Sequence, residues 1–164
     1  WASRMIEVDN PRETVHPATI GIGQAVPMAI GAEIGRPGVP VLMMSGDGGF
    51  LVNLGELATA REEGLSFTTV IFDDGGYGVL RNLQNVVFDG RQIGVDLEGP
   101  DFLKLARSFG FQSVRVGDAE RFRSALSRAI ESDEQWIIIV DTEELGPTPK
   151  PFSGTPSLDL YRPK

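Results

Sequence analysis

Two stretches, Ser45-Gly46-Asp47-Gly48-Gly49-Phe50 and Phe72-Asp73-Asp74-Gly75-Gly76-Tyr77-Gly78, decide how this chain reads. Their aspartates Asp47 and Asp74 stand 27 positions apart, each following an apolar, strand-like run and each followed by glycine. The runs are Val39–Met44 and Phe67–Phe72, and the residues from Leu51 to Gly64 carry a helical pattern between them. If the runs are parallel neighbours joined by that helix, both acidic loops emerge at one edge of the sheet, where open α/β sheets bind ligands. Two hard oxygen ligands flanked by glycines suit a magnesium ion bridging a diphosphate. A helix starting near Phe50 would turn its free N–H groups toward the same anion. The plainer alternative is that both are strand-to-helix turns in which the aspartates serve as caps or turn formers.

The pattern continues outward from this centre. Upstream, Gly21, Gly23 and Gly31 mark a small-residue helix expected from about Gln24 to Gly35, with Pro27 near its start and Arg36-Pro37-Gly38 ending it. The nearly all-apolar run Val39–Met44 and the β-branched, aromatic run Ser66–Phe72 read as strands covered on both faces. Downstream, Asp101 is placed to cap a helix through Phe109, and Gln112–Val116 reads as a short strand. Asp118–Ser132 is amphipathic, with Phe122, Leu126, Ala129 and Ile130 on one stripe, and Trp136–Val140 is a final strand. Alternation of helix and strand predicts a doubly wound parallel α/β sheet with helices on both faces. Residues 1–19 form a polar lead-in, 20–142 the folded domain, and 143–164 a Pro-rich extended tail able to wrap a partner.

Composition narrows the function. The 164 residues fit one domain with a substantial core. A net charge of −8 argues against a general nucleic-acid binder and against an anionic-membrane binder. No cysteine is present, which excludes disulfides and thiolate chemistry, and the single histidine, His16, excludes a multi-histidine zinc site within the chain. No apolar run approaches the about 20 residues of a membrane span. A cytoplasmic enzyme component is therefore the expectation, and a start on Trp1 rather than methionine is expected of a piece of a longer protein.

The GDG, a helix-length interval and then a paired Asn-type position together resemble the thiamine-diphosphate-binding motif. From about Ile20 to Thr142 the chain is similar to the diphosphate-binding domain of the benzoylformate decarboxylase, 2-keto-acid decarboxylase and acetolactate synthase superfamily. The resemblance implies that Asp47 and Asp74 bind magnesium through their side chains and Gly76 through its carbonyl. It further implies cofactor contacts from Gly46, Gly48, Gly49, Tyr77, Gly78 and Val79, with the Tyr77 and Gly78 amides on the phosphates. Ile22, bracketed by Gly21 and Gly23, would wedge between the cofactor rings while the Gly21 carbonyl accepts from the aminopyrimidine. Aspartate rather than asparagine at Asp73 and Asp74 departs from the family pattern and brings extra negative charge beside a diphosphate.

Other residues carry two readings each. Leu80 and Leu83 belong to the wall of a substrate pocket or to a helix packed on the sheet. Arg91, in the glycine-containing loop Asp89–Pro100, is more simply a surface arginine than an anion contact. Glu33 and Glu56 fall on helices with solvated or structural roles, and His16 reads as a loop residue rather than a catalyst. The resemblance implies that the activating glutamate comes from a separate pyrimidine-binding domain, on the same longer chain or a partner subunit, within a homo- or hetero-oligomer. The expected activity is thus half a decarboxylase or carboligase acting on a small 2-keto acid, inactive as this chain alone. Two alternatives are a receiver- or phosphatase-like magnesium and phosphate domain and a non-catalytic assembly domain.

Overall fold

The four runs with the strongest β-branched or apolar character are the four strands of the sheet. In the computed structural model, which describes residues 6–7, 9–10, 13–17 and 21–145, they are β1 (Leu42–Gly46), β2 (Thr68–Asp73), β3 (Gln112–Val116) and β4 (Trp136–Asp141). All pair in parallel, in the order β1-β2-β4-β3. Strand β1 begins later than expected, because Pro40 offers no N–H for a ladder; the Thr68 N–H meets the Val41 carbonyl just ahead of it, at 3.0 Å.

Helices α1 (Ala25–Gly35), α2 (Asp47–Val52), α3 (Leu57–Glu62), α4 (Gly78–Val87), α5 (Phe102–Ser108) and α6 (Ala119–Glu131) fill the connections. Alternation along the strands sends Ile71, Ile137 and Ile139 to one face, where Val26, Phe50, Leu57 and Phe102 from α1, α2, α3 and α5 cover them. The Phe50 and Phe102 rings meet edge to face at 5.9 Å. On the other face Val70, Ile138 and Val140 pack with Ala125 and Ala129 of α6. Ile71, Ile137, Ile138 and Ile139 are each at most 1% exposed, and burial of such a side chain contributes about 1.5–3 kcal/mol. The fold is the doubly wound α/β sheet expected, covered on both faces.

The caps act as read. Asp101 accepts from the Leu103 and Lys104 N–H groups at 3.0 and 3.1 Å, and Asp118 accepts from the Arg121 N–H at 2.8 Å. Hydrogen bonding from Lys104 holds the Asp101 carboxyl below its ordinary range.

Three expectations change. The helix expected across Leu51–Gly64 starts at Asp47 itself and breaks at Asn53 into a 3-10 turn, Leu54–Glu56, before α3. The Asn53 side chain donates instead to the Gly23 carbonyl at 2.9 Å, and Gly55 adds no helix propensity. Ile130 is 44% exposed rather than on the packed stripe of α6. Helix α4 buries none of its residues, so it is not a helix packed into the sheet core. The tail from residue 146, and residues 1–5, 8, 11–12 and 18–20 of the lead-in, lie outside the described residues.

Candidate thiamine diphosphate and magnesium site

Parallel register brings the two acidic loops together. Gly46 lies opposite Phe72 on neighbouring strands, so Asp47 and Asp74 leave the sheet side by side at its C-terminal edge. Gly46 is the extended residue before α2, and Asp47 is the first helical residue. Asp47 is only 4% exposed and has no cationic partner among the described residues. Burial pushes its carboxyl above the usual carboxylate range; repulsion from Asp74 and Asp73 adds to this, against the pull of the Gly48 and Gly76 amides. A buried carboxylate beside another carboxylate is a donor set of the kind that hard divalent cations take.

The second loop is held by many ties. Its residues Gly75 to Tyr77 pair with the segment Val95–Leu97: the Tyr77 N–H donates to the Val95 carbonyl at 2.8 Å, and the Leu97 N–H to Gly75 at 2.9 Å. Arg81 donates to the Asp74 and Gly75 carbonyls at 3.2 and 3.3 Å and pairs with Asp96 at 2.9 Å. Thr142 donates to the Asp73 carbonyl through both its hydroxyl and its N–H. The carbonyls of Asp73, Asp74 and Gly75 are therefore engaged, and among the described residues none donates to the carbonyl of buried Gly76.

The glycines have distinct steric reasons. A side chain on Gly76 would strike the Val95 carbonyl oxygen, and its φ is +156°. One on Gly48 would meet the Tyr77 ring at 2.7 Å and Leu97 at 3.3 Å. One on Gly49 would lie 3.8 Å from Ile22, which brings the 57%-exposed Ile22 side chain beside the Asp47 turn. Gly21 precedes it in the same turn region, and Gly23, at φ +85°, is packed against Val52. Gly78 opens α4 with the Asp74 carboxylate against it, and Val79, in the first turn, is 83% exposed.

One expectation needs correction here. The Tyr77 amide is engaged by Val95 and is not a phosphate donor; the contribution of Tyr77 is its ring, laid over Gly48. Segment 95–97 is anchored within the chain, with Val95 1% exposed. A cleft of about 460 Å³ beside Asp47 is lined by Asp73, Gly75, Leu97, Phe102 and Arg115 among others, and Leu80 and Leu83 are not among its walls. Leu80 is 47% exposed and Leu83 half-buried, both on the outward helix α4.

Arg91 and His16 are exposed. Glu33 borders a small pocket with Val41 and Thr68 at the opposite edge of the sheet, where burial raises its carboxyl above the ordinary range. Glu56 is exposed and accepts from the Thr59 hydroxyl.

The sequence alone does not single out Arg81, Arg115 or Val95. Arg81 follows the motif by a few residues in Tyr77-Gly78-Val79-Leu80-Arg81, and an arginine there could have been weighed as a loop tie. Val95 is the middle one of three alternating apolar residues, Ile93, Val95 and Leu97, in an otherwise polar and glycine-containing stretch.

The fold and site define a parallel α/β domain that presents two carboxylates and a free carbonyl at a strand edge. Among the described residues no cluster of three or more acidic, histidine or cysteine side chains forms a closed metal cage. The family model described as the thiamine pyrophosphate enzyme, C-terminal TPP binding domain, matches residues 1–140, and the chain belongs to that family.

The relatives agree. The chain is 35% identical over 155 residues to the probable acetolactate synthase large subunit of Methanocaldococcus jannaschii, covering 92% of this chain and 26% of that protein. It is 31% identical over 147 residues to the acetolactate synthase isozyme 2 large subunit of Escherichia coli, covering 88% and 27%. Among solved structures, the thiamine diphosphate-dependent 4-hydroxybenzoylformate decarboxylase of Rhodococcus jostii RHA1 superposes with a TM-score of 0.71 at 32% identity, over 77% of this chain and 24% of that one. The chain thus spans about a quarter of the length of these relatives.

Proposed function

We propose that this domain binds thiamine diphosphate through magnesium and forms the diphosphate-binding half of a 2-keto-acid decarboxylase or an acetolactate synthase-like carboligase. The observation that carries the reading is Asp47: a buried carboxylate without a cationic partner among the described residues, beside Asp74 and a loop whose Gly76 carbonyl receives no hydrogen bond from them. When bound, the cofactor supplies the nucleophilic carbon that attacks a small 2-keto acid.

The work of this chain is positioning. The Asp47 and Asp74 side chains and the Gly76 carbonyl hold the cation. Gly46, Gly48, Gly49, Gly78 and Val79 let backbone approach the phosphates closely, and Tyr77 covers one side of the turn. Ile22, with Gly21, supports the rings above Gly49. Leu80 and Leu83 face outward on α4, where a substrate wall would be completed by other parts of the assembly. The activating glutamate comes from a pyrimidine-binding domain, elsewhere on a longer chain or on a partner subunit of a homo- or hetero-oligomer. No helix among the described residues is long and apolar enough to cross a membrane, and the cytoplasm suits the acidic, cysteine-free composition.

Calorimetric titration of thiamine diphosphate in excess magnesium, with the pyrimidine-binding domain present, tests this. Binding is expected for the wild type and is expected to disappear in Asp47→Ala, which removes a charged cation ligand. Silence from the wild type in that complex would sink the reading.

A further inference from the structure

Arg115 is the basic residue lining the cleft beside Asp47. It stands on β3, separated from β2 by β4, yet its guanidinium reaches across to both neighbours. One nitrogen donates to the Asp73 carboxylate at 2.8 Å and another to the Asp141 carboxylate at 3.3 Å. Asp73 and Asp141 are register partners at the ends of β2 and β4, so this fork closes over the edges of three strands. The fork is partly buried: the Arg115 side chain is 38% exposed, Asp73 19% and Asp141 26%.

The consequence lies one residue further on. Asp73 adjoins Asp74, and both leave the sheet beside Asp47, yet with Asp73 held by Arg115 the three side chains do not gather into one cluster. A cation flanked by all three would carry more negative charge than a diphosphate tolerates beside it. Resting on the thiamine diphosphate reading above, we infer that Arg115 is a positioning residue which holds Asp73 away from the cation. It leaves Asp47 and Asp74 as the two carboxylate ligands and keeps the site receptive to a diphosphate. The planar fork is needed for this, since a lysine presents one point charge and cannot serve both carboxylates in the same way.

The test is a set of titrations on the chain in complex with its pyrimidine-binding domain, using wild type, Arg115→Ala, Asp73→Asn and the double variant. One series titrates thiamine diphosphate in excess magnesium. The other follows manganese alone, without cofactor, by electron paramagnetic resonance. Arg115→Ala is expected to weaken thiamine diphosphate roughly tenfold through the unmasked charge and to tighten manganese. Adding Asp73→Asn should reverse both changes, and Asp73→Asn alone should bind the cofactor at least as well as wild type.

Unchanged affinities in Arg115→Ala would overturn the inference. So would weaker cofactor binding that Asp73→Asn does not rescue, since that marks a purely structural tie. If Arg115→Ala does not fold, Asp73→Asn decides: a large loss of cofactor affinity would make Asp73 a ligand and end the inference. If the wild type binds manganese but no thiamine diphosphate, the proposed function fails separately. The manganese series then upholds or overturns the role of Arg115 toward Asp73.

Discussion

The two aspartate loops reach the same edge of the sheet by opposite means. The β1–α2 turn is held from within. Asp47 enters its helix at once, Gly48 and Gly49 leave room for Tyr77 and Ile22, and burial fixes the carboxylate. The β2–α4 loop has no such internal support and is tied from outside, by Arg81, Thr142, the 95–97 segment and Arg115. A ligand fixed by burial is rigid but carries an electrostatic penalty when the site is empty. A ligand fixed by ties avoids that penalty and depends on residues far away in sequence.

The contrast can be broken most forcefully at Gly76. Gly76→Ala drives a side chain into the Val95 carbonyl and displaces the loop. Strain of about 1–3 kcal/mol should appear as a roughly tenfold to hundredfold weaker affinity for magnesium and thiamine diphosphate by calorimetry. The corresponding turn around Asp47 should remain intact, with near-wild-type far-ultraviolet circular dichroism.

Arg81→Met is the milder probe of the same loop. It removes the ties to Asp74, Gly75 and Asp96, and a loss of about 1–2 kcal/mol is expected. Hydrogen exchange should rise at Tyr77 and Leu97, whose N–H groups make the pairing, while exchange in α2 stays unchanged. Equal loosening of both turns would erase the distinction between them.

The smallest effect concerns the buried turn. Because the Asp47 carboxyl is raised in the folded chain, the folded state binds more protons than the unfolded one as pH climbs through that interval. The metal-free protein therefore loses stability as pH rises from the unfolded value toward the folded one. Asp47→Asn should melt higher than wild type at neutral pH without metal, by about 2–4 °C per kcal/mol regained. The gap should narrow on acidification, where Asp47 is protonated in the wild type as well. A gap independent of pH would mean that the carboxylate is not under this strain.

The sequence made the sheet and the Asp47–Asp74 pairing legible, because both rest on local signals. Apolar runs mark the strands, and glycine after aspartate marks the turns. The same logic located the Asp101 and Asp118 caps. Distance in sequence hid the rest. The hydrogen bond of Asn53 to Gly23, 30 positions away, broke a helix that periodicity drew as continuous. Tyr77 appeared to offer a free amide because its acceptor, Val95, lies across a polar loop. Arg115 sat in a strand pattern as an ordinary outward residue, and its two carboxylates lie on other strands. Helix α4 had the alternation of a packed helix, but an amphipathic pattern does not say what covers the apolar side.

The clasp between residues 75–77 and 95–97 also bears on how this scaffold varies. It closes the excursion from Gly78 to Gly94 at its base, and α4 within that excursion contributes nothing to the core. Lengthening a closed excursion is cheap, at about 0.6 kcal/mol for each doubling. Residues 80–94, apart from the Arg81 tether, thus form a stretch whose length can change without disturbing the strand ends that carry Asp47 and Asp74. Tolerance to change is thus uneven along this chain: the strand ends are fixed by the sheet, while the loop between residues 80 and 94 stands outside the core apart from its clasp.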